Sequence, residues 1–258
     1  MWQKEITAAR QAAQEAGSIL NTLFGQKTLV RKKGEIDLVT EADIQSEKRV
    51  LEIITRAFPK DSIMSEEAGE YQHLPQRVWL IDPLDGTTNF AHAFPFFGVS
   101  IALEVEGQVV LGIVYNPCAN EWFEAVQGEG ASLNCQEIRV SNTQSLAESL
   151  LATGFPYDVP QDPDGVVGRF KTMLTLSQGV RRPGSAALDL CYVACGRVDG
   201  YWEERLHPWD TAAGDVIVRE AGGQVTDYAG KPYTPYSKTI LASNGLIHDE
   251  MMKALAKA

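Results

Sequence analysis

The chain has 258 residues, of which 44% are hydrophobic and 22% charged, a composition typical of a globular protein with a substantial core. Its 23 lysines and arginines stand against 34 aspartates and glutamates, so the formal net charge is −11. This excess of acid argues against a protein that wraps nucleic acid or binds an anionic membrane through a basic patch. We find neither the apolar segment of a signal peptide nor an apolar stretch of roughly 20 residues that could span a membrane. We therefore expect a cytoplasmic protein with no membrane and no direct nucleic-acid partner.

The first half of the chain reads as two helices followed by strands. Apolar residues at helical spacing predict helices over residues 6–24 and 42–57. The strands expected next cover residues 62–65, 78–81, 97–105, 108–115 and 121–126. The last three should form an antiparallel meander. The run 78–81 ends abruptly at Asp82-Pro83, which is typical of a buried strand that leads into a loop.

The second half mixes both kinds of element. Strands are expected at residues 150–153, 200–203, 224–226 and 239–242, and helices at 166–177, 185–195 and 211–221. Since no repeat or linker interrupts the chain, we expect a single domain over 1–258, with halves at 1–145 and 146–258. Helices and strands in both halves indicate stacked α and β layers.

The most informative stretch begins at Asp82. Two carboxylates three residues apart, Asp82 and Asp85, directly follow a predicted strand, where α/β folds expose functional groups. Gly86 lets the backbone approach a ligand, and Thr87 and Thr88 stand at the expected start of a helix, whose free amides attract phosphate. Carboxylates beside a phosphate need cations between them, and hard oxygen ligands suit Mg²⁺. The alternative without a ligand is an Asx turn followed by a helix cap.

Three further segments carry weaker signals. Glu66 and Glu67 form an acidic pair that is otherwise read as a solvated loop. The segment 184–187 opens a helix with small residues and free amides, which suits a phosphate or a hydroxyl group. Asp210 precedes a predicted helix, and a role as its N-cap would also explain it.

Taken together, these segments resemble the inositol monophosphatase family of Mg²⁺-dependent, lithium-sensitive sugar phosphatases. The resemblance covers nearly the whole chain and is carried by residues 37–43 (DLVTEAD), 65–67 (SEE), 82–88 (DPLDGTT), 184–187 (GSAA) and 209–214 (WDTAAG). It implies an α+β fold, a layered αβαβα sandwich of the inositol monophosphatase and fructose-1,6-bisphosphatase type. It also implies a homodimer that hydrolyses a small phosphomonoester with two or three Mg²⁺ ions, for which Mn²⁺ can substitute.

The resemblance assigns the metal ligands to the acidic motifs. Glu66, Asp82 and the Leu84 carbonyl would hold one Mg²⁺, and Asp82, Asp85 and Asp210 a second, while Glu66 would help to hold a weaker third. This agrees with the sequence, because clustered carboxylates repel one another without cations. The first half would therefore bind metal and phosphate.

Catalytic and substrate-binding residues follow from the same resemblance. Glu66 and Thr87 would orient a metal-activated water, and Asp43 would accept a hydrogen bond from Thr87, which makes the threonine a relay and not a nucleophile. The second half would select the substrate. The implied substrate contacts are Leu84, Asp85, Gly86, Thr87, Thr88, Arg181, Ser185, Ala186, Glu203 and Asp210.

Several alternatives stay open at this point. Glu203 could form a solvated pair with Glu204, and Arg181 and Arg182 could pair with acids elsewhere. Inositol 1-phosphate is the favoured substrate, and fructose 1,6-bisphosphate, histidinol phosphate, 3′-phosphoadenosine phosphate and NADP are alternatives, since the loop 154–157 replaces a more polar loop of some animal members. An alternative of a different class is a regulatory interaction protein that retains the metal site, because some relatives associate with transcription or translation machinery.

Overall fold

The computed structural model describes residues 2–26, 30–32, 38–67, 69–71, 74–156, 159 and 163–257. Asp37 of the segment 37–43 and Tyr157 of the loop 154–157 lie outside these residues. The helices in the described part of the chain are α1 (Gln3–Leu23), α2 (Glu41–Ala57), α3 (Thr87–Ala91), α4 (Pro163–Leu176), α5 (Ala186–Ala194), α6 (Pro208–Glu220) and α7 (His248–Leu255). The strands are β1 (Val30–Lys32), β2 (Leu38–Thr40), β3 (Asp61–Ser65), β4 (Gly69–Tyr71), β5 (Leu74–Asp85), β6 (Gly98–Val105), β7 (Gln108–Asn116), β8 (Glu121–Val126), β9 (Gly130–Leu133), β10 (Gln136–Glu137), β11 (Leu150–Thr153), β12 (Gly179–Arg181), β13 (Gly200–Glu204), β14 (Gln224–Thr226) and β15 (Thr239–Ser243).

Two large sheets and three layers of helices alternate, and β1 and β2 form a separate two-stranded sheet. Eight strands in the order β10-β9-β8-β7-β6-β5-β3-β4 form the first sheet, and five in the order β12-β11-β13-β15-β14 form the second. One apolar cluster joins α1 and α2 to the first sheet, a second joins α5 and α6 to both sheets, and a third joins α4 and α7 to the second sheet. The expected αβαβα sandwich is confirmed.

The helices follow from their apolar spacing. α1 buries Ala9, Ala12, Ala16 and Leu20 on one face, at intervals of three or four residues. The small side chains let α1 pack closely on α2, and each fully buried leucine contributes about 1.5–3 kcal/mol of transfer free energy. No helix in the described ranges has the length and apolar character needed to cross a membrane.

The predicted meander is confirmed, because β6, β7 and β8 pair antiparallel in succession. The other predicted helices and strands are also present, with ends shifted by a few residues. The elements that we did not predict are β1, β2, β4, β9, β10, β12 and α7. Most of these span four residues or fewer, which is too short to establish a period.

Strand β5 corrects the prediction that a strand ends at residue 81. It continues to Asp85, with Asp82 opposite Ser100 and Asp85 opposite Gly98, so the register shifts between the two aspartates. Such a shift is a β-bulge, in which one strand carries an extra residue, and a bulge tolerates the missing N–H of Pro83. The two acids therefore lie on one irregular strand end and not in a free loop.

Helix α6 corrects the prediction for Asp210. The helix begins at Pro208, so Asp210 is its third residue and His207 occupies the N-cap position. Proline suits the first helical position, since its φ is already helical and its missing N–H has no partner there. The Asp210 side chain then accepts a hydrogen bond from the His207 N–H at 2.7 Å.

Candidate active site

A cavity of about 330 Å³ lies where β5 ends and α3, α5 and α6 begin. Six acidic residues line it: Glu66, Asp82, Asp85, Asp189, Glu203 and Asp210. Arg182 is the one lysine or arginine among the described residues that line it. So many acids around one small volume are destabilising unless protons or cations offset them.

Asp82 is strongly affected by this repulsion between carboxylates. Its side chain is 2% exposed, and its Oδ1 accepts the Leu84 N–H at 2.9 Å. Burial holds the pKa of Asp82 well above its usual range, and repulsion from Glu66, Asp85 and Asp210 adds to the rise. A divalent cation would instead lower the pKa of Asp82, because it favours the charged form of every oxygen ligand.

Asp85 joins β5 to the start of α5. Its Oδ2 accepts a hydrogen bond from the Ser185 hydroxyl at 2.5 Å and from the Ala187 N–H at 2.7 Å. Burial still raises the pKa of Asp85 to about 6. The segment 184–187 therefore opens a helix at the site, as predicted, and its donors hold a carboxylate in place.

Thr87 begins α3 and contacts Asp43 of α2. Its Oγ1 lies 3.0 Å from Asp43 Oδ1 and 3.1 Å from the Leu84 carbonyl oxygen. The Asp43 Oδ2 accepts the N–H and the hydroxyl of Thr40, at 2.7 and 2.6 Å. Burial raises the pKa of Asp43, and these hydrogen bonds oppose the rise. The contact between Thr87 and Asp43 that the resemblance implies is present.

Glu66 follows β3 and lines the cavity beside Asp82. The turn that carries it is held by Glu47 of α2, which accepts the Ser65 hydroxyl and, at 2.9 Å, the Glu67 N–H. Sequence reasoning missed Glu47. A signal was available, because Glu47 lies four residues after Asp43 and therefore on the same, buried face of the helix.

Glu203 at the end of β13 forms another wall of the cavity. It is 7% exposed and accepts the Tyr201 hydroxyl, and burial raises its pKa to about 7. Gly154 lies directly against it, so that a Cβ at residue 154 would come within 2.0 Å of Glu203 Oε2. The alternative of a solvated pair does not hold, since Glu204 instead forms an ion pair with Arg169 at 2.7 Å.

Asp210 reaches the cavity from the first turn of α6. Its removal from bulk water, with repulsion from Asp85, holds its pKa well above the usual range. Its neighbour Trp209 stacks on the His207 ring, with centroids 4.7 Å apart. His207 thus packs on Trp209, and it also lines the cavity.

Most of the predicted site residues meet at this cavity. Those in its lining are Glu66, Asp82, Leu84, Asp85, Gly86, Thr87, Thr88, Ser185, Ala186, Glu203 and Asp210. Asp43 lies behind Thr87. The structure corrects the placement of Arg181, which lies outside the lining, while Arg182 reaches the cavity with its guanidinium 5.5 Å above the Phe155 ring. Successive residues at a strand end point to opposite sides, so only one of two adjacent arginines can face the site.

The chemistry of the lining fits a divalent cation. Carboxylate and carbonyl oxygens are the ligands that Mg²⁺ takes, and Asp82 has three acidic neighbours in the same cavity. Within the described ranges, however, no three side chains of Asp, Glu, His or Cys are close enough to hold one ion as they stand. The site therefore matches Mg²⁺ in donor type and charge, and its side chains would have to close around the ion.

Comparison with known proteins identifies the family of the chain. The model of the inositol monophosphatase family matches residues 1–258. The chain is 49% identical over 253 residues to an inositol-1-monophosphatase of Synechocystis sp., covering 97% of this chain and 88% of the relative. It is 41% identical to the Nus factor SuhB of Haemophilus influenzae, covering 96% of this chain and 94% of the relative.

A solved structure gives the same answer for the fold. The inositol monophosphatase of Anabaena (Nostoc) sp. superposes with a TM-score of 0.90 at 45% identity, over 99% of this chain and 96% of that one. Sequence and fold thus agree along nearly the full length. The chain therefore belongs to the inositol monophosphatase family.

Proposed function

We propose that this protein is a Mg²⁺-dependent phosphomonoesterase that hydrolyses a small phosphorylated polyol or sugar, with inositol 1-phosphate as the leading substrate. The observation that carries the proposal is the acidic cavity around Asp82, in a chain whose family acts on small phosphate esters. We further propose that Glu66, Asp82, Asp85, Asp210 and the Leu84 carbonyl hold the ions. The homodimer, the cytoplasmic location and the lithium sensitivity stay predictions.

Mg²⁺ would neutralise the carboxylates and the phosphate and would lower the pKa of an attacking water. The protein's own part is positioning. With its proton donated to Asp43, the Thr87 hydroxyl offers a lone pair that accepts a hydrogen bond from a water and fixes its direction. Glu66, at the end of the neighbouring parallel strand β3, would accept the second hydrogen bond of that water. The phosphate would lie against the first amides of α3, so that the water attacks in line.

Charge favours a substrate with a single phosphate. Six acids and one arginine line the cavity, so a second phosphate would find only one cationic side chain there. A neutral polyol instead supplies hydroxyl groups that donate hydrogen bonds to carboxyl oxygens such as those of Glu203. Ser185 and Ala186, at the start of α5, would complete the substrate-binding side. We therefore rank inositol 1-phosphate ahead of fructose 1,6-bisphosphate, 3′-phosphoadenosine phosphate and NADP. Histidinol phosphate, which is also a monophosphate, is the nearest competitor.

The test is phosphate release from these five compounds, with Mg²⁺ and again with excess chelator. We expect turnover only with Mg²⁺, with the highest kcat/KM on inositol 1-phosphate. Asp82→Asn, which keeps the shape of the side chain, should lose activity while retaining the fold by circular dichroism. A higher kcat/KM on another of the five compounds would replace inositol 1-phosphate as the proposed substrate. Activity that survives chelation would refute the proposed mechanism.

A regulatory role is the second candidate, and the observation that favours it is the name "Nus factor SuhB" carried by relatives that are 40–43% identical. These names run partly against our expectation of no nucleic-acid partner, which stays a prediction. The discriminating variant is again Asp82→Asn, introduced into the source cell in place of the wild-type chain. A cellular phenotype that requires the protein but survives Asp82→Asn would favour the interaction role.

A further inference from the structure

Asp189, in the first turn of α5, is a buried acid that the roles described above do not use. Its side chain is 1% exposed, and neither carboxyl oxygen has a hydrogen-bond partner among the described residues. Among all described residues, the one other buried carboxyl oxygen without a hydrogen-bond partner is Glu104 Oε2. The second oxygen of that carboxyl group, Oε1, lies 3.4 Å from the Tyr236 hydroxyl. Asp189 therefore differs in having both oxygens unpaired.

A purely structural role does not account for this aspartate. An unpaired carboxyl in a protein interior is destabilising, and its chain neighbours Leu188 and Leu190 are fully buried apolar residues. A leucine would suit the position better if the position served only the core. Residues that lower stability in this way are characteristic of functional sites.

The location of Asp189 supplies the missing partner. It lines the same cavity as Asp82 and Glu203, and it follows Ser185 and Ala186, which also line the cavity, by one turn of α5. Burial holds the pKa of Asp189 well above its usual range, with repulsion from Glu203 and Asp85 in the same direction and attraction to Arg182 against it. A protonated carboxyl carries one donor and further acceptors, which is the hydrogen-bonding capacity of an alcohol.

We propose that Asp189 is a substrate-binding residue that forms a hydrogen bond with a hydroxyl group of the polyol and so selects hydroxyl-bearing leaving groups. The inference rests on the proposed function and adds a specificity residue to it. A hydroxyl group satisfies the carboxyl, whereas an apolar leaving group leaves it unpaired and a second anionic group meets the surrounding acids. Sites built to bind a substrate hydroxyl reject analogues that lack one, because the buried polar group then stays unpaired.

The experiment compares Asp189→Leu and Asp189→Asn on two substrates at saturating Mg²⁺: inositol 1-phosphate and p-nitrophenyl phosphate, whose leaving group offers no further hydroxyl. For Asp189→Leu we expect kcat/KM on inositol 1-phosphate to fall about 10- to 100-fold, mainly through KM. On p-nitrophenyl phosphate it should change less than about threefold. Asp189→Asn, which still donates and accepts hydrogen bonds, should retain most of the activity. Glu104→Gln, a buried acid outside the cavity lining, is the matched control and should alter neither substrate.

Two further measurements do not depend on turnover. The melting temperature of Asp189→Leu in chelator should rise by about 2–4 °C, because an unpaired buried carboxyl is removed. Excess myo-inositol should raise the melting temperature of the wild-type protein and not that of Asp189→Leu. Equal losses on both substrates, no loss on either, a lower melting temperature or equal protection by inositol would each overturn the role of Asp189. A wild-type enzyme that ignores inositol 1-phosphate would instead refute the proposed substrate, and the melting temperature of Asp189→Leu in chelator, which needs no substrate, would still test the inference.

Discussion

Gly154 is the position where one added methyl group should damage the site most directly. A Cβ there would lie 2.0 Å from Oε2, 2.3 Å from Oε1 and 2.3 Å from Cδ of Glu203. No other heavy atom comes as close, and alanine is otherwise compatible with a φ outside the left-handed region. Gly154→Ala therefore acts first on the Glu203 side chain.

The expected magnitude follows from that geometry. Ordinary contacts with a Cβ begin at about 3.4 Å, so the Glu203 carboxyl must retreat by about 1.4 Å. The retreat breaks its hydrogen bond from Tyr201, which is worth about 1 kcal/mol, and overpacking adds about 1–3 kcal/mol. We expect a total loss of about 2–4 kcal/mol in the free energy of unfolding. Since we propose that Glu203 binds the substrate, a displacement of this size should also lower kcat/KM for inositol 1-phosphate about 100-fold.

Urea denaturation and steady-state kinetics measure the two effects. Gly179→Ala is the matched control on β12 of the same sheet, since its Cβ meets only the mobile end of Arg181, at 3.4 Å, and a Leu150 methyl at 3.7 Å. The double variant Gly154→Ala/Glu203→Ala removes the clash, so it should be more stable than the sum of the single changes predicts, by more than about 1 kcal/mol. Additive effects, or a Gly154→Ala protein as stable as the control variant, would refute the reasoning.

Three further predictions concern protons and ions. The pKa of Glu203 is about 7 in the folded protein and 4.5 in the unfolded chain, so the folded state holds this proton more tightly. Proton binding to Glu203 therefore contributes fully to the free energy of unfolding below pH 4.5, and this contribution is lost as the pH rises through 7. In chelator, Glu203→Gln should therefore flatten the fall in unfolding free energy between pH 5 and 7 by up to about 1.4 kcal/mol per pH unit, and an unchanged slope in urea titrations would contradict this. Chelation should lower the wild-type melting temperature, since Mg²⁺ at 100 times its Kd contributes about 2.7 kcal/mol, whereas Asp82→Asn should respond less in the same thermal scan. Lithium should inhibit phosphate release by occupying a cation position, and full activity in tens of millimolar Li⁺ would count against the ion sites.

The chemistry of the site could be predicted from sequence because it depends on residue types and their order. Asp82, Asp85 and Asp210 stand out as acids at the ends of predicted elements, and the structure brings all three to one cavity. Their exact backbone setting could not be predicted. The bulge in β5 depends on pairing with Ser100 and Gly98, which a local pattern does not encode. Asp210 was placed at the N-cap because aspartate suits both that position and the third residue of a helix.

Contacts between distant segments explain the remaining errors. Arg182 rather than Arg181 reaches the cavity because β12, a three-residue strand without a detectable period, sets which side chain faces inward. The close approach of Gly154 to Glu203 joins residues 49 positions apart. The role of Glu47 was not predicted because an acid on a helix is usually solvated. Its position on the buried face of α2 was the signal that could have identified it.

The distribution of the acids also determines how ligand binding should act on the whole molecule. Asp82 and Asp85 belong to the first sheet and Glu203 to the second, while Asp210 lies on α6 between the sheets. The layers already meet through the hydrogen bonds of Asp85 with α5 and of the Ser100 hydroxyl with the Trp209 carbonyl, at 3.1 Å. A bound ion that relieves the repulsion among these acids should therefore stabilise the contacts between layers, and its effect should not be limited to one loop. Mg²⁺ should accordingly shift a single cooperative unfolding transition, and protection that stays confined to the end of β5 in hydrogen exchange would show that the layers respond separately.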